Sequence, residues 1–246
     1  MTKVRFSTFS SIYFCLINSY KPELKNPIQN ILNLQDMNQE NPLRTPVTVI
    51  DKEVTWDKSQ VIMSKTNAFG IIEYANEVFV DVCGYEDYEL MGQPHNIIRH
   101  PDMPKVIFKV LWENLKNGKN FHAIVKNLAK SGRYYWVITD FDIARDENGV
   151  IVNYFGRRQA VPHEVIAMHI EPLYKKLLQI EAASGVEFSE KYLIGFLEEK
   201  KRTYVEYIKE LIFEHEKNQA KFANYEEEKD GEEEEHRGFF GRLFNR

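Results

Sequence analysis

The stretch Asn120–Ala160 reads NFHAIVKNLAKSGRYYWVITDFDIARDENGVIVNYFGRRQA. Three runs rich in β-branched and aromatic residues are separated by SGR (Ser131–Arg133) and DENG (Asp146–Gly149). Both separators carry hairpin-turn chemistry, so the stretch predicts a three-stranded antiparallel meander.

Working upstream, IIEYANEVFVDVCGY opens with a short apolar strand, Ile71–Tyr74. Val78, Phe79 and Val82 then fall at helical spacing until Gly84 closes the piece. EDYELMGQP reads as another short helical turn. PKVIFKVLWENLKNGK places Val106, Ile107, Val110, Leu111 and Leu115 on one helical stripe that Gly118 stops. Two short strands, several small helices and a meander within about 100 residues predict an α+β fold. The expected architecture is a five-stranded antiparallel sheet with small helices over one face, a natural cup for a ligand.

Downstream, EVIAMHIEPLYKKLLQIEAA is helical up to Gly185. A second helix is expected from Ser189 as N-cap, with Leu193, Phe196, Leu197, Tyr204, Ile208, Leu211 and Ile212 along one side. Lys200 and Lys201 interrupt that stripe, which argues against a long coiled coil. The chain thus divides into a flexible leader (1–55), the α+β domain (56–162), a helical signalling or dimerisation region (163–225) and an acidic linker with an apolar-basic tail (226–246). EEEKDGEEEE (Glu226–Glu235) should be extended and solvated. RGFFGRLFNR after it suits docking to a partner groove or a membrane surface.

A formal net charge of −5 gives no overall basic field, which argues against nucleic acid as the main partner. Two cysteines without CxxC spacing fit neither a disulfide framework nor a cysteine-built zinc site, and suit a reducing cytoplasm. No run reaches the roughly 18 apolar residues of a membrane span.

The chemistry concentrates in HNIIRHPDMP (His95–Pro104). His95 and His100 are five apart, not at the spacing that puts two metal ligands on one helical face. No catalytic framework such as GxSxG accompanies them. Asp102 is placed as the N-cap of the following helix, and Arg99 and His100 beside that helix start make a donor-rich edge suited to an anion such as a phosphate.

The longer run is more specific. YANEVF, GQPHNIIRHPDMPK, the W-x-x-LK-x-G of Trp112–Gly118, IVKN, the YYW of Tyr134–Trp136 and EPLYKKL (Glu171–Leu177) together resemble the PAS domain of Aer-type energy-taxis transducers over about residues 64–180. The resemblance implies a PAS fold that binds FAD and reports redox state, with Arg99, His100 and Asp102 at the cofactor. Asn76, Trp112, Asn127 and Tyr135 match other pocket positions. Phe121 stands where that family typically shows a tryptophan, keeping an aromatic ring but losing the indole N–H. The sequence shows no membrane anchor, HAMP domain or signalling coiled coil, and in this it is more similar to soluble CetB-type PAS partners. The expectation is a non-enzymatic cytoplasmic redox sensor that relays its state to a membrane chemotaxis transducer for aerotaxis and associates with the membrane through that partner, its helices either pairing as a homodimer or folding back on themselves or on the PAS domain. A haem held by His95, His100 or His122, another small ligand, or a cofactor-free interaction module are the alternatives the residues leave open. A flavin oxidoreductase would need a nicotinamide-binding GxGxxG, which the chain lacks.

Overall fold

The computed structural model describes residues 47–221. The leader up to residue 46, the acidic linker and the apolar-basic tail lie outside the described residues.

A five-stranded antiparallel sheet has the order β2-β1-β5-β4-β3. Its strands are β1 (Ile62–Asn67), β2 (Ile72–Ala75), β3 (Ala123–Leu128), β4 (Tyr134–Arg145) and β5 (Ile151–Ala160). The meander appears as expected, with β3 pairing β4 and β4 pairing β5 in antiparallel register. β1 closes against β5, pairing Ile62 with Arg158 and Thr66 with Tyr154. Side chains alternate along a strand, so this register assigns Ile62, Ser64, Thr66, Asn127, Tyr135, Thr139, Tyr154 and Arg158 to one inner face.

Three short helices lie over that face: α1 (Glu77–Cys83), α2 (Asp87–Leu90) and α3 (Lys105–Lys116), with a 3-10 turn at His95–Ile98. Gly84 ends α1 in the left-handed region (φ 68), and its N–H donates to the Val80 carbonyl, as its place in the sequence predicts. The stripe of α3 packs inward through Val106, Ile107, Leu111 and Leu115, all buried. Burying a side chain of this kind contributes about 1.5–3 kcal/mol. Phe79, Leu90, Ile98 and Met103 complete the layer between helices and sheet.

The last residues of the expected leader already touch the fold. Ile50 N donates to the Gly132 carbonyl and Val54 N to the Tyr134 carbonyl, tying this strip to the start of β4.

After β5 the chain turns helical at His163–Val165, widens into a π-helical segment at Ile166–Ile170 and continues as α4 (Glu171–Ser184). Pro172 in the first turn of α4 cannot donate to the carbonyl four residues back, which accounts for the widened turn ahead of it. α5 (Val186–Lys200) follows Gly185 directly, and a further helix, α6, covers 204–221.

Two expected caps are corrected. Ser189 is not an N-cap: it lies inside α5, fully buried, and its hydroxyl reaches Glu181 Oε1 at 3.3 Å. The expected second helix is two helices, broken at Lys201 (φ 55), and the true box is Thr203 with Glu206. Thr203 N donates to Glu206 Oε2 at 2.8 Å, and Glu206 N donates to Thr203 Oγ1 at 3.2 Å. Nor does Asp102 cap α3. The N-cap is Pro104, without a side-chain bond, and Glu181 of α4 reaches across instead. Its carboxylate accepts from Lys105 N and Val106 N, both at 2.9 Å.

The C-terminal helices close the β3 edge. An edge strand leaves a row of backbone groups unpaired. Here the Tyr174 hydroxyl donates to the Ile124 carbonyl at 2.6 Å, Ile124 N donates to the Tyr204 hydroxyl at 3.4 Å, and the two hydroxyls stand 2.5 Å apart. Lys126 N meets the Met103 sulfur at 3.1 Å, and Arg99 bridges Asn127.

Candidate functional site

The eight residues expected at the cofactor do not form one cluster. Asn127 and Tyr135 are direct partners in the β3–β4 register and share the inner face. Tyr135 is fully buried, and the polar side chain beside its hydroxyl is that of Asn127. Burial raises its pKa well above the ordinary phenol value. Trp112 of α3 meets Tyr154 of β5 edge to face at 5.5 Å on the same side of the sheet.

Arg99 sits at the rim between β3 and α3. Its guanidinium lies 4.5 Å from the centre of the Phe108 ring and reaches the Met103 carbonyl at 3.5 Å. His100 and Asp102 turn the other way, around the sheet edge. His100 is buried against Tyr134, the rings crossing at 84°. Its Nδ1 accepts from Asp102 N at 3.0 Å. The Asp102 carboxylate is mostly exposed and pairs with Lys126 Nζ at 3.0 Å.

Asn76 is placed as the N-cap of α1, and its amide is already engaged by backbone. Oδ1 accepts from Phe79 N and Met63 N, while Nδ2 donates to the Val61 carbonyl. Phe121 stacks on Tyr204 of α6 at 5.5 Å, towards the C-terminal helices. The anion grip read from HNIIRHPDMP therefore changes character, because Glu181 fills the α3 N-terminus that an anion would have used.

A buried charged group on the inner face was missed in the sequence. Arg158 is only 4% exposed and reaches Ser64 Oγ with Nη1 at 3.0 Å and His95 Nε2 with Nη2 at 2.9 Å. Burial lowers its pKa to about 10. Burial first, then the neighbouring Arg158 charge, hold His95 well below the ordinary histidine value, so it is neutral and accepts. The signal was available: in NYFGRRQA, Arg158 has the parity of Tyr154 and Gly156, whereas Arg157 has that of solvent-facing Phe155.

A cavity of about 660 Å³ opens on the outer face, bounded by Ile138, Gln159, Val161, Ile166, Ile212 and Phe213. None of the eight expected residues lines it, so it is separate from the cup.

The residues suit a flavin in two respects. The buried Asn127–Tyr135 pair and a buried guanidinium with only neutral hydrogen-bond partners place polar groups where a planar, carbonyl-bearing ligand could use them. Aromatic and aliphatic side chains on α1 and α3 supply the apolar walls.

Residues 72–157 match the model of the PAS fold. Over 116 residues, 47% of this chain, the sequence is 45% identical to the aerotaxis receptor of Escherichia coli (strain K12), covering 22% of that receptor. It is 27% identical over 118 residues to the biofilm dispersion protein BdlA of Pseudomonas aeruginosa, covering 46% of this chain and 28% of BdlA. The chain thus spans less than a third of the length of either relative. A solved structure described under "Flavin Analogue Sheds Light on Light-Oxygen-Voltage Domain Mechanism" superposes with a TM-score of 0.42 and 20% identity, covering 48% of this chain and 90% of that one. Among the described residues no helix is long and apolar enough to cross a membrane. The sheet order and register, with the match of residues 72–157 to the PAS fold, give this region a PAS-like fold, and in sequence it is similar to part of the aerotaxis receptor.

Proposed function

We propose that this protein is a cytoplasmic redox sensor that binds FAD in the PAS cup and relays its state to a membrane chemotaxis transducer. One observation carries the cofactor reading: in a chain similar in sequence to part of an aerotaxis receptor, the inner face of the PAS-like sheet holds Asn127 and Tyr135 side by side as a buried polar pair. Bound flavin would supply reversible electron transfer. The chain's own residues would do the rest. Asn127 and Tyr135 would pair with polar atoms of the ring, Trp112 would wall the cup, and Arg99 at the rim would meet the phosphorylated arm. His100 and Asp102 would act at the same rim by fixing the backbone between the 3-10 turn and α3, with Lys126 holding Asp102.

Relay has a physical path in this reading. Asn127 sits on β3, and the free edge of that strand is held by Tyr174 and Tyr204 of the C-terminal helices. A new hydrogen-bond pattern at Asn127 would shift an edge on which α4 and α6 rest, biasing the helical region between two arrangements. That region would then engage the transducer or a second copy of the chain.

The experiment is the spectrum of aerobically purified protein, with FAD reconstitution, for the wild type and Arg99→Ala. The expected wild type is yellow with flavin bands, and Arg99→Ala retains less than a tenth of the flavin. Absence of flavin bands after reconstitution sinks the proposal. Full retention in Arg99→Ala removes Arg99 from the site.

A further inference from the structure

Arg157 and Arg158 are adjacent in β5 and have opposite surroundings. Arg157, facing out, is bracketed by two carboxylates, Asp140 at 2.8 Å and Asp142 at 2.7 Å. Arg158, facing in, has none. Its partners are a hydroxyl, a neutral imidazole and the Gly156 carbonyl at 3.4 Å, and the Phe79 ring lies 5.7 Å from its Cζ. Among the described residues no Asp or Glu forms an ion pair with it.

Ser64, His95 and Arg158 close into a triangle, the Ser64 hydroxyl standing 3.2 Å from the same His95 Nε2 that accepts from Arg158. The guanidinium lies over Gly156: a Cβ there would come within 2.7 Å of Nη2, so any side chain at 156 would displace it from this position. A buried cation with only neutral partners is costly, and an apolar residue of similar size would serve stability better. Packing alone therefore does not account for the residue. An arginine has five N–H donors, and the bonds to Ser64, His95 and the Gly156 carbonyl engage only part of them.

We infer that Ser64, His95 and Arg158 form a polar subsite on the floor of the cup that receives the electron-rich carbonyl edge of a planar heterocycle. This deepens the proposed function and rests on it, the heterocycle being the pyrimidine edge of the flavin. A phosphate is the poorer match. It would need several donors and room for hydration, whereas this floor is enclosed by Phe79, Ile62 and Tyr135, all fully buried. The charge of Arg158 stays uncompensated in the protein alone and finds its complement in the ligand. Arg99 at the rim and Arg158 at the floor then hold opposite ends of one molecule.

The test uses the full chain, freed of flavin and titrated with FAD by fluorescence, together with thermal unfolding of the ligand-free protein. For Arg158→Met we expect at least a tenfold rise in the FAD dissociation constant, with a ligand-free midpoint equal to or above that of the wild type. Arg158→Lys, which keeps the charge and loses the fork, should recover part of the affinity and displace the visible absorption maximum of the bound flavin. Unchanged affinity in Arg158→Met overturns the inference. So does a fall in its ligand-free midpoint, which would mark a purely structural arginine. An absorption maximum in Arg158→Lys identical to the wild type overturns the assignment to the ring. Wild-type protein that takes up no FAD defeats the flavin reading itself, a result distinct from all of these.

Discussion

His95 shows how burial sets protonation in this cup. It stacks on Phe79 at 5.7 Å, meets Ser64 and Arg158, and is shifted well below the ordinary histidine pKa, first by burial and then by the arginine. The folded protein holds it neutral, whereas the unfolded chain takes up its proton as pH falls through about 6.5. Stability is therefore complete above that pH and falls below it, by up to about 1.4 kcal/mol per pH unit. His122 adds a shift of the same sign, caused by burial and then Lys209, so the comparison must isolate His95. In urea unfolding at pH 7 and pH 5.5, His95→Gln, which keeps an acceptor for Arg158, should show a smaller pH loss than the wild type. Equal losses would remove His95 as the source. At this scale the sequence was half legible. Asn127 and Tyr135 lie on the first two strands of the meander, and that strand placement follows from local pattern. Arg158 did not stand out, because its parity with Tyr154 becomes informative only once Tyr154 is known to point inward, which the pairing with distant β1 decides.

At the scale of elements, the cap on α3 is the instructive case. Asp102 has the sequence position of an N-cap, yet Lys126 takes its carboxylate and the helix begins later, at Lys105. Glu181 supplies the cap from 75 and 76 positions away, a distance no local motif spans. A carboxylate at this end of a helix meets both open N–H groups and the positive pole of the macrodipole. Glu181→Ala should lower the unfolding free energy by about 1–2 kcal/mol, read as a lower urea midpoint at unchanged slope. An unchanged midpoint would mean that water replaces the cap without loss. Ser189 misleads for the same reason, since Gly185 already breaks the chain ahead of α5 and leaves the serine to bond Glu181 from within. The Thr203–Glu206 box was readable as T-x-x-E, but it follows Lys200 and Lys201, where the apolar stripe falters.

For the whole molecule, the C-terminal helices act as a wall of the PAS domain. Trp136 packs on Tyr174 at 6.1 Å, Phe121 stacks on Tyr204, and both backbone groups of Ile124 are held by the two tyrosines. Lys109 of α3 and Glu190 of α5 join the two regions by an ion pair at 2.6 Å. A chain cut after residue 162 would expose an apolar face and an unpaired strand edge, a template for pairing with other chains. It should show a higher apparent mass than the full chain at equal concentration in sedimentation. A well-behaved fragment of unchanged association state would argue that these helices rest only lightly on the sheet. The helices were legible as helices from their periodicity. Periodicity left packing on the PAS domain and pairing with a second copy both open, because a few aromatic contacts with partners on another element set the packing.

The order β2-β1-β5-β4-β3 has one more consequence, for how the molecule comes into being. The centre of the sheet joins its first strand to its last, and Ser64 meets Arg158 across 94 positions. Closing so long a loop is entropically expensive and delays its reward until late in folding. On a ribosome, Ser64 and His95 emerge well before the arginine that completes their triangle. The floor of the cup is thus the last part of the domain to be assembled, and a nascent chain has no such floor to offer a ligand until β5 is in place.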